Sequence, residues 1–320
     1  MLILAVIASV TEEVVKITKE FSYFRGMRLN FSRSFLFSLG LLLTGMVGLI
    51  SCSEELPPVI MTEEEKPLLD TFYIGSVPAA SVKKVLLFDV TGVRCNNCPK
   101  AAVLAKNLAT SYAGRVEVVA LYPKTPMSLT FPWAGFDTMS TIEAEQIATA
   151  MGGITSLPLG AVDQVAFNGS KLLNTSDWGA AVTAQLAKTS PFNLSVKSTW
   201  KSADGKSRVE IKAVANTSIT SNYKWVVAIT ENGVKSKQSD QDAPGGMVDE
   251  YEHEHALRGV VGSTLGSDIN SAAVSAGYVR EKHFYLVPKA KWNASNCDVV
   301  VWVYNADTKE VVQVEKVSLK

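Results

Sequence analysis

The chain has 320 residues, enough for about two domains at roughly 150 residues each. Its 31 basic and 31 acidic residues cancel, and no long run carries one sign, so the composition argues against nucleic acid or another polyelectrolyte as partner. His253, His255 and His283 are the only histidines, no Ser-His-Asp arrangement, Walker loop or paired-carboxylate site can be drawn, and a hydrolase is disfavoured.

Residues 1–26 open on MLILAVIASV and continue with Glu12, Glu13 and Glu20, a poor match to the short basic start of an export signal. Met27 therefore reads as the true start, with 1–26 an upstream start artefact. From Met27, Arg28 and Arg33 precede an uncharged apolar run from Phe35 to Ile50. That run is shorter than the roughly 20 residues a spanning helix needs, and it fits a secretory signal peptide over 27–51. The end of the run, Leu49-Ile50-Ser51-Cys52, resembles the bacterial lipobox, which implies acylation of Cys52; an uncleaved membrane anchor is the competing reading. Residues 52–69 are polar, acidic and proline-containing, and read as a tether. Ser53-Glu54-Glu55 resembles an acidic surface-export signal of Bacteroidota lipoproteins, which leaves the periplasmic and the surface-facing sides both open.

Residues 70–190 alternate strand and helix. The run 85-VLLFDV-90 is apolar except for Asp89, as in a strand covered on both faces. A helix starts near Cys98, with Pro99 in its first turn, Leu104, Leu108 and Tyr112 on one face, and Gly114 after its end. The next strand, 116-VEVVALYP-123, is reached by a crossover and is expected to be parallel. Residues 124–139 read as a long loop. Ser140 and Glu143 suggest a capping box for a helix stopped by Gly152-Gly153. A strand over 154–165 contains Pro158, Asn168-Gly169 turns into a short strand, and Ser176 caps a last helix. This order resembles a thioredoxin-like domain.

After Pro191 the period changes to two. Phe192, Leu194 and Val196 alternate with polar residues, as do Val209, Ile211 and Ala213, and Asp204-Gly205 and Asn232-Gly233 are tight-turn signals. Residues 191–320 therefore read as an antiparallel β-sandwich, with 236–249 as a long loop. Cys297 opens the apolar run CDVVVWVY and is expected in a buried strand.

The stretch 91-TGVRCNNCPK-100 sets Cys95 and Cys98 at a strand-to-helix junction. The thiolate is the attacking species in disulfide exchange, and a helix N-terminus stabilises it, so Cys95 is the candidate nucleophile and Cys98 the resolving thiol. Arg94 is placed to favour the thiolate further. Pro158, at the head of a strand, occupies the place of the cis-proline that packs against the cysteine pair in thioredoxin-like domains. Val93-Arg94 before the pair and Asn96-Asn97 inside it depart from Trp-Cys-Gly-Pro-Cys, which leaves redox direction open. A redox pair and a structural disulfide both stand. A zinc site lacks a second ligand pair, and no cofactor is implied.

In 251-YEHEHALR-258, His253 and His255 share a face if the stretch is extended, but no further ligand adjoins them; a partly buried polar pair beside Tyr251 is the plainer reading. Phe131, Pro132, Trp133 and Phe136 form either an apolar lip near the cysteines or internal packing.

The motif GVRCNNCP, the stretch HEHALR and the ending CDVVVWVYNADTKEVVQ together resemble the outer membrane protein 28-related lipoproteins of the Bacteroidota. The resemblance implies an outer-membrane, lipid-anchored protein, an α/β thioredoxin-like domain (70–190) followed by an all-β immunoglobulin-like sandwich (191–320). It supplies no activity. Two functions follow as expectations: thiol-disulfide exchange on exported polypeptides through Cys95, Cys98 and Pro158, or a non-catalytic binding, adhesion or surface-assembly role.

Overall fold

The structure, a computed structural model, describes residues 66–320; the leader, Cys52 and most of the tether lie outside the described residues. The continuous apolar runs become strands buried on both faces. Strand β1 (Asp70–Ile74) precedes β2 (Val85–Val90) and β3 (Val116–Leu121), and the latter two are buried at every position. They pair in parallel, with α1 (Cys98–Ser111) as the crossover between them. Alternate side chains of β2 enter different cores: Leu86, Phe88 and Val90 join one, Val85 and Leu87 the other.

The segment 124–139 is loop except for one short helix, α2 (Met127–Thr130). Helix α3 (Ile142–Ala150) packs on the Phe88 side of the sheet. Its cap is Thr141, whose hydroxyl accepts from the Ala144 N–H at 3.0 Å, while the expected cap Ser140 donates to the Pro123 carbonyl instead. Strand β4 (Leu159–Val162) starts directly after Pro158 and lies antiparallel to β2. The short strand expected after Asn168-Gly169 is reduced to the bridges Phe167–Ser170 and Gly160–Leu173. Helix α4 (Thr175–Leu186) has Asn174 at its cap position, two residues ahead of the expected Ser176, and buries Trp178 beside α1.

The remaining strands are β5 (Phe192–Lys201), β6 (Lys206–Ala215), β7 (Tyr223–Glu231), β8 (Val234–Ser239), β9 (Met247–His253), β10 (Ala256–Val260), β11 (Ser267–Asn270), β12 (Tyr278–Leu286), β13 (Cys297–Asn305) and β14 (Val311–Ser318). One antiparallel sheet has the order β1-β12-β6-β5. A larger mixed sheet runs β14-β13-β7-β10-β3-β2-β4, with β11 also on β7. Strands from both sides of residue 190 thus share each sheet, and residues 67–320 form one compact unit. The junction is narrow: β10 meets β3 at Ala256 opposite Ala120, where the Ala120 N–H donates to the His255 carbonyl at 2.8 Å.

Strands β7 and β13 read as unbroken apolar runs because each feeds two cores. Trp225, Val227, Ile229, Val299, Val301 and Val303 face Phe192, Val209 and Ile211 of the other sheet, whereas Val226, Val300 and Trp302 join the core under α3. Cys297 is buried and unpaired at the head of β13, where burial pushes its thiol up to about 12.

One buried ion pair ties the sheet together. Lys83 Nζ lies 2.7 Å from Asp163 Oδ2, with the two side chains 2% and 0% exposed. The other Asp163 oxygen accepts from the Leu86 N–H at 2.8 Å, and the Asp163 carbonyl accepts from the Val311 N–H. Desolvation raises the Asp163 carboxyl to about 6, against the pull of Lys83 in the opposite direction.

The largest departure from the sequence reading is at 236–249. The expected long loop is the hairpin β8–β9, antiparallel from Val234–His253 to Ser239–Met247, with a single 3₁₀ turn at Pro244–Gly246.

Candidate functional site

Cys95 and Cys98 are joined in a disulfide, with their Cα atoms 5.4 Å apart. The turn that carries them is set by backbone bonds: the Cys95 N–H donates to Gly92 and the Cys98 N–H to Cys95, and α1 begins at Cys98 with Pro99 in its first turn. Gly92 permits close approach from two neighbours. A Cβ there would sit 2.4 Å from the Leu129 carbonyl oxygen and 3.0 Å from the Leu157 side chain. Leu157 thereby packs on the cysteine turn, and the Leu157–Pro158 bond that follows it is cis.

Arg94 does not stand free beside Cys95. Its Nε donates to the Phe131 carbonyl at 2.8 Å, its Nη2 to the Pro132 carbonyl at 3.1 Å, and its guanidinium lies 3.8 Å from the centre of the Trp133 ring. Trp133 in turn donates to the Val93 carbonyl at 3.2 Å. The loop 131–133 is therefore clamped to the cysteine turn. Phe131 stays 56% exposed at its tip, and Phe136 is half-buried.

Both cysteines are covered, with Cys95 3% and Cys98 2% exposed. The cover is the β8–β9 hairpin. Gln238 is buried and its Nε2 lies 3.0 Å from the Cys95 carbonyl and 3.3 Å from the Gly92 carbonyl. The Ser239 N–H donates to Val93, the Gln241 N–H donates to Asn96, and Lys100 pairs with Asp242 at 2.9 Å. A polar hairpin is thus laid on the turn through the turn's own carbonyls. Replacing Gln238 by alanine removes both bonds and leaves the two carbonyls only their partners within the turn, at a cost of about 1–3 kcal/mol in stability. Opening of the hairpin should become roughly ten- to a hundredfold more frequent, and dithiothreitol should reduce the disulfide faster by the same factor. Thiol labelling over time checks this, and an unchanged rate would show that Gln238 does not hold the cover.

Sequence reading passed over Asp89, although a carboxylate in a strand covered on both faces was signal enough. It is 3% exposed, its Oδ1 has no hydrogen-bond partner, and it lines the same cavity as Cys98. Desolvation pushes its carboxyl up to about 7, where it exchanges a proton near neutrality.

His253 also lines this cavity. It is buried, its Nδ1 is 2.9 Å from the Tyr122 hydroxyl, and its ring meets Tyr251 at 4.7 Å between centroids. His255 is half-buried with φ 55°, so the stretch is not extended and the two histidines do not occupy equivalent strand positions. Burial pushes both imidazoles down to about 4 and keeps them neutral.

A search of curated proteins finds no match. Among solved structures, HBP35 of Porphyromonas gingivalis is similar over 75% of this chain and 77% of its own length, with 18% identity and a TM-score of 0.54, a likeness of fold alone. A domain of the outer membrane lipoprotein Omp28 from Porphyromonas gingivalis, also at 18% identity, covers 41% of this chain and 89% of its own, with a TM-score of 0.27 that carries no argument. The family model described as outer membrane protein Omp28 matches residues 146–320, which is more than half of the chain and does not include the cysteine pair. The chain belongs to the Omp28 family of outer membrane proteins.

Proposed function

We propose that the protein is an outer-membrane lipoprotein, anchored through acylated Cys52, in which a thioredoxin-like segment (70–190) exchanges disulfides with exported polypeptides and is joined to an immunoglobulin-like segment (191–320). As a member of its family it is an outer membrane protein. Among the described residues no helix is long and apolar enough to cross a membrane.

The observation that carries the exchange reading is Asp89. An unpartnered buried carboxyl costs stability, and a disulfide that merely staples the fold gains nothing from it. A pair that turns over does. In the dithiol form, Cys95 attacks a substrate disulfide as thiolate, forming a mixed disulfide and releasing one substrate sulfur as thiolate. Cys98 then gives its proton to Asp89 and attacks the Cys95 sulfur. The second substrate sulfur leaves, and the Cys95–Cys98 bond is restored; the reverse sequence oxidises a substrate dithiol. The start of α1 supports the thiolates.

The hairpin cover favours a second reading, a scaffold disulfide in a binding or surface-assembly lipoprotein. One experiment separates the two. In Cys98→Ala expressed in its own envelope, Cys95 should trap mixed disulfides, visible on non-reducing gels and absent from the Cys95→Ala/Cys98→Ala chain. No trapped partner, together with a wild-type disulfide that resists mild dithiothreitol, would establish the scaffold reading. Adding Cys52→Ala should release the trapped species from the membrane fraction; retention would refute the lipid anchor.

A further inference from the structure

The cavity beside Cys98 is large, about 710 Å³, within the range of small-molecule sites. One wall is the apolar face of α1 at Pro99, Ala102 and Ala105, and another is aromatic, with the His253 ring in contact with both Tyr122 and Tyr251. Set in this wall are polar atoms with no partner: Asp89 Oδ1, His253 Nε2 and His255 Nδ1. Asp89 and His253 are 3% and 2% exposed, and unmet buried groups of this kind mark a place completed by something else.

The hydrogen-bond sense of His253 follows from its neighbour. Among the described residues the Tyr122 hydroxyl has no acceptor besides His253 Nδ1, so donation to that nitrogen is the arrangement that satisfies its proton. The neutral imidazole then carries its own proton on Nε2, which is an unmet donor. Asp89 Oδ1 is an unmet acceptor. A hydroxyl answers both, since it accepts from one and donates to the other. An ammonium cannot accept and a carboxylate cannot donate. The mouth adds a bias against anions, because exposed Glu252 and Glu254 there outnumber Lys106. Among the described residues no group of three or more His, Cys, Asp and Glu side chains is placed to hold a metal ion.

We propose that this cavity binds an uncharged, hydroxyl-bearing aromatic molecule, its ring against Tyr122, Tyr251 and α1 and its hydroxyl between His253 and Asp89. The site shares Asp89 with the exchange reading, but the disulfide form has no Cys98 proton to transfer, so binding to the oxidised chain stands or falls apart from that reading.

The test uses the oxidised full-length chain and 2-naphthol, followed by fluorescence titration. Wild type should bind one 2-naphthol saturably, and 2-naphthoate at least about tenfold more weakly, the factor carried by one lost hydrogen bond. His253→Phe keeps the aromatic wall and removes the donor; it should weaken 2-naphthol about tenfold and leave naphthalene unchanged. Ala102→Trp fills the cavity and should abolish both. Should either variant fail to fold, the wild-type nitrogen resonance of His253 Nε2 supplies the readout, since it must shift on addition of 2-naphthol. The proposal is overturned by an absence of saturable binding, by equal affinity for 2-naphthol and 2-naphthoate, or by a His253 resonance that does not move.

Discussion

Asp89→Asn should be more stable than the wild type, and its advantage should widen by about 3 kcal/mol between about pH 5 and about pH 8.5. The folded-state carboxyl titrates near 7, well above the ordinary carboxylate value of 3.8, because burial penalises the charge. A raised carboxyl pKa means that the folded state holds the proton longer than the unfolded chain does. Its contribution is fully present below 3.8 and is lost as pH rises through 7. About two pH units of that window lie above pH 5, each worth about 1.4 kcal/mol. His253 and His255 slope the other way, since their lowered values make the fold lose stability as pH falls from 6.5 through about 4. That slope is common to both proteins, so the difference between them isolates Asp89. Urea unfolding of the oxidised proteins at the two pH values checks it; a pH-independent difference would show that burial does not raise the Asp89 carboxyl in the folded state. Under the exchange reading the same variant should trap and release substrates more slowly. Greater stability with poorer turnover is the signature of a group kept for chemistry.

Lys83→Met should cost about 3–5 kcal/mol near pH 8, the penalty for leaving Asp163 charged and unpaired in the interior. Part of that cost should vanish at about pH 5. Without Lys83 the Asp163 carboxyl rises further above its already raised value of about 6, and the folded protein escapes the penalty by taking up a proton. Asp163 sits at φ 48°, a left-handed position that asparagine tolerates, so Lys83→Met/Asp163→Asn should recover at least half of the loss. Unfolding curves for the two variants decide the matter. A double variant no better than the single one would mean that Lys83 acts through packing of its stem.

What the sequence disclosed followed from burial pattern. The runs at 85–90, 116–121 and 297–305 became strands because nearly unbroken apolar sequence requires cover on both faces. The cysteine turn was legible because a buried strand, Pro99 and a helical period fix a junction there. The hairpin was not legible, since its inward face is polar: Ser236, Gln238 and Ser239 are buried by bonding to backbone, which leaves no hydrophobic alternation to read. The pairing of β10 with β3 was hidden for another reason. It joins residues 256 and 120, and nothing local in either run announces its partner. Asp89 was visible as an exception in an apolar run, but its weight came only with the knowledge that its oxygen is unmet.

The hairpin sets an order of events in the life of the chain. Synthesis proceeds from the N-terminus, and Gln238 emerges some 140 residues after Cys98. Until then the cysteine turn has no roof, and its two thiols are open to whatever oxidant the compartment supplies. Once β8 and β9 close, both sulfurs are covered, and any later change of their oxidation state waits on opening of the hairpin. The nascent chain and the finished protein therefore present different thiol chemistry, and the timing of closure serves as a clock for the first disulfide.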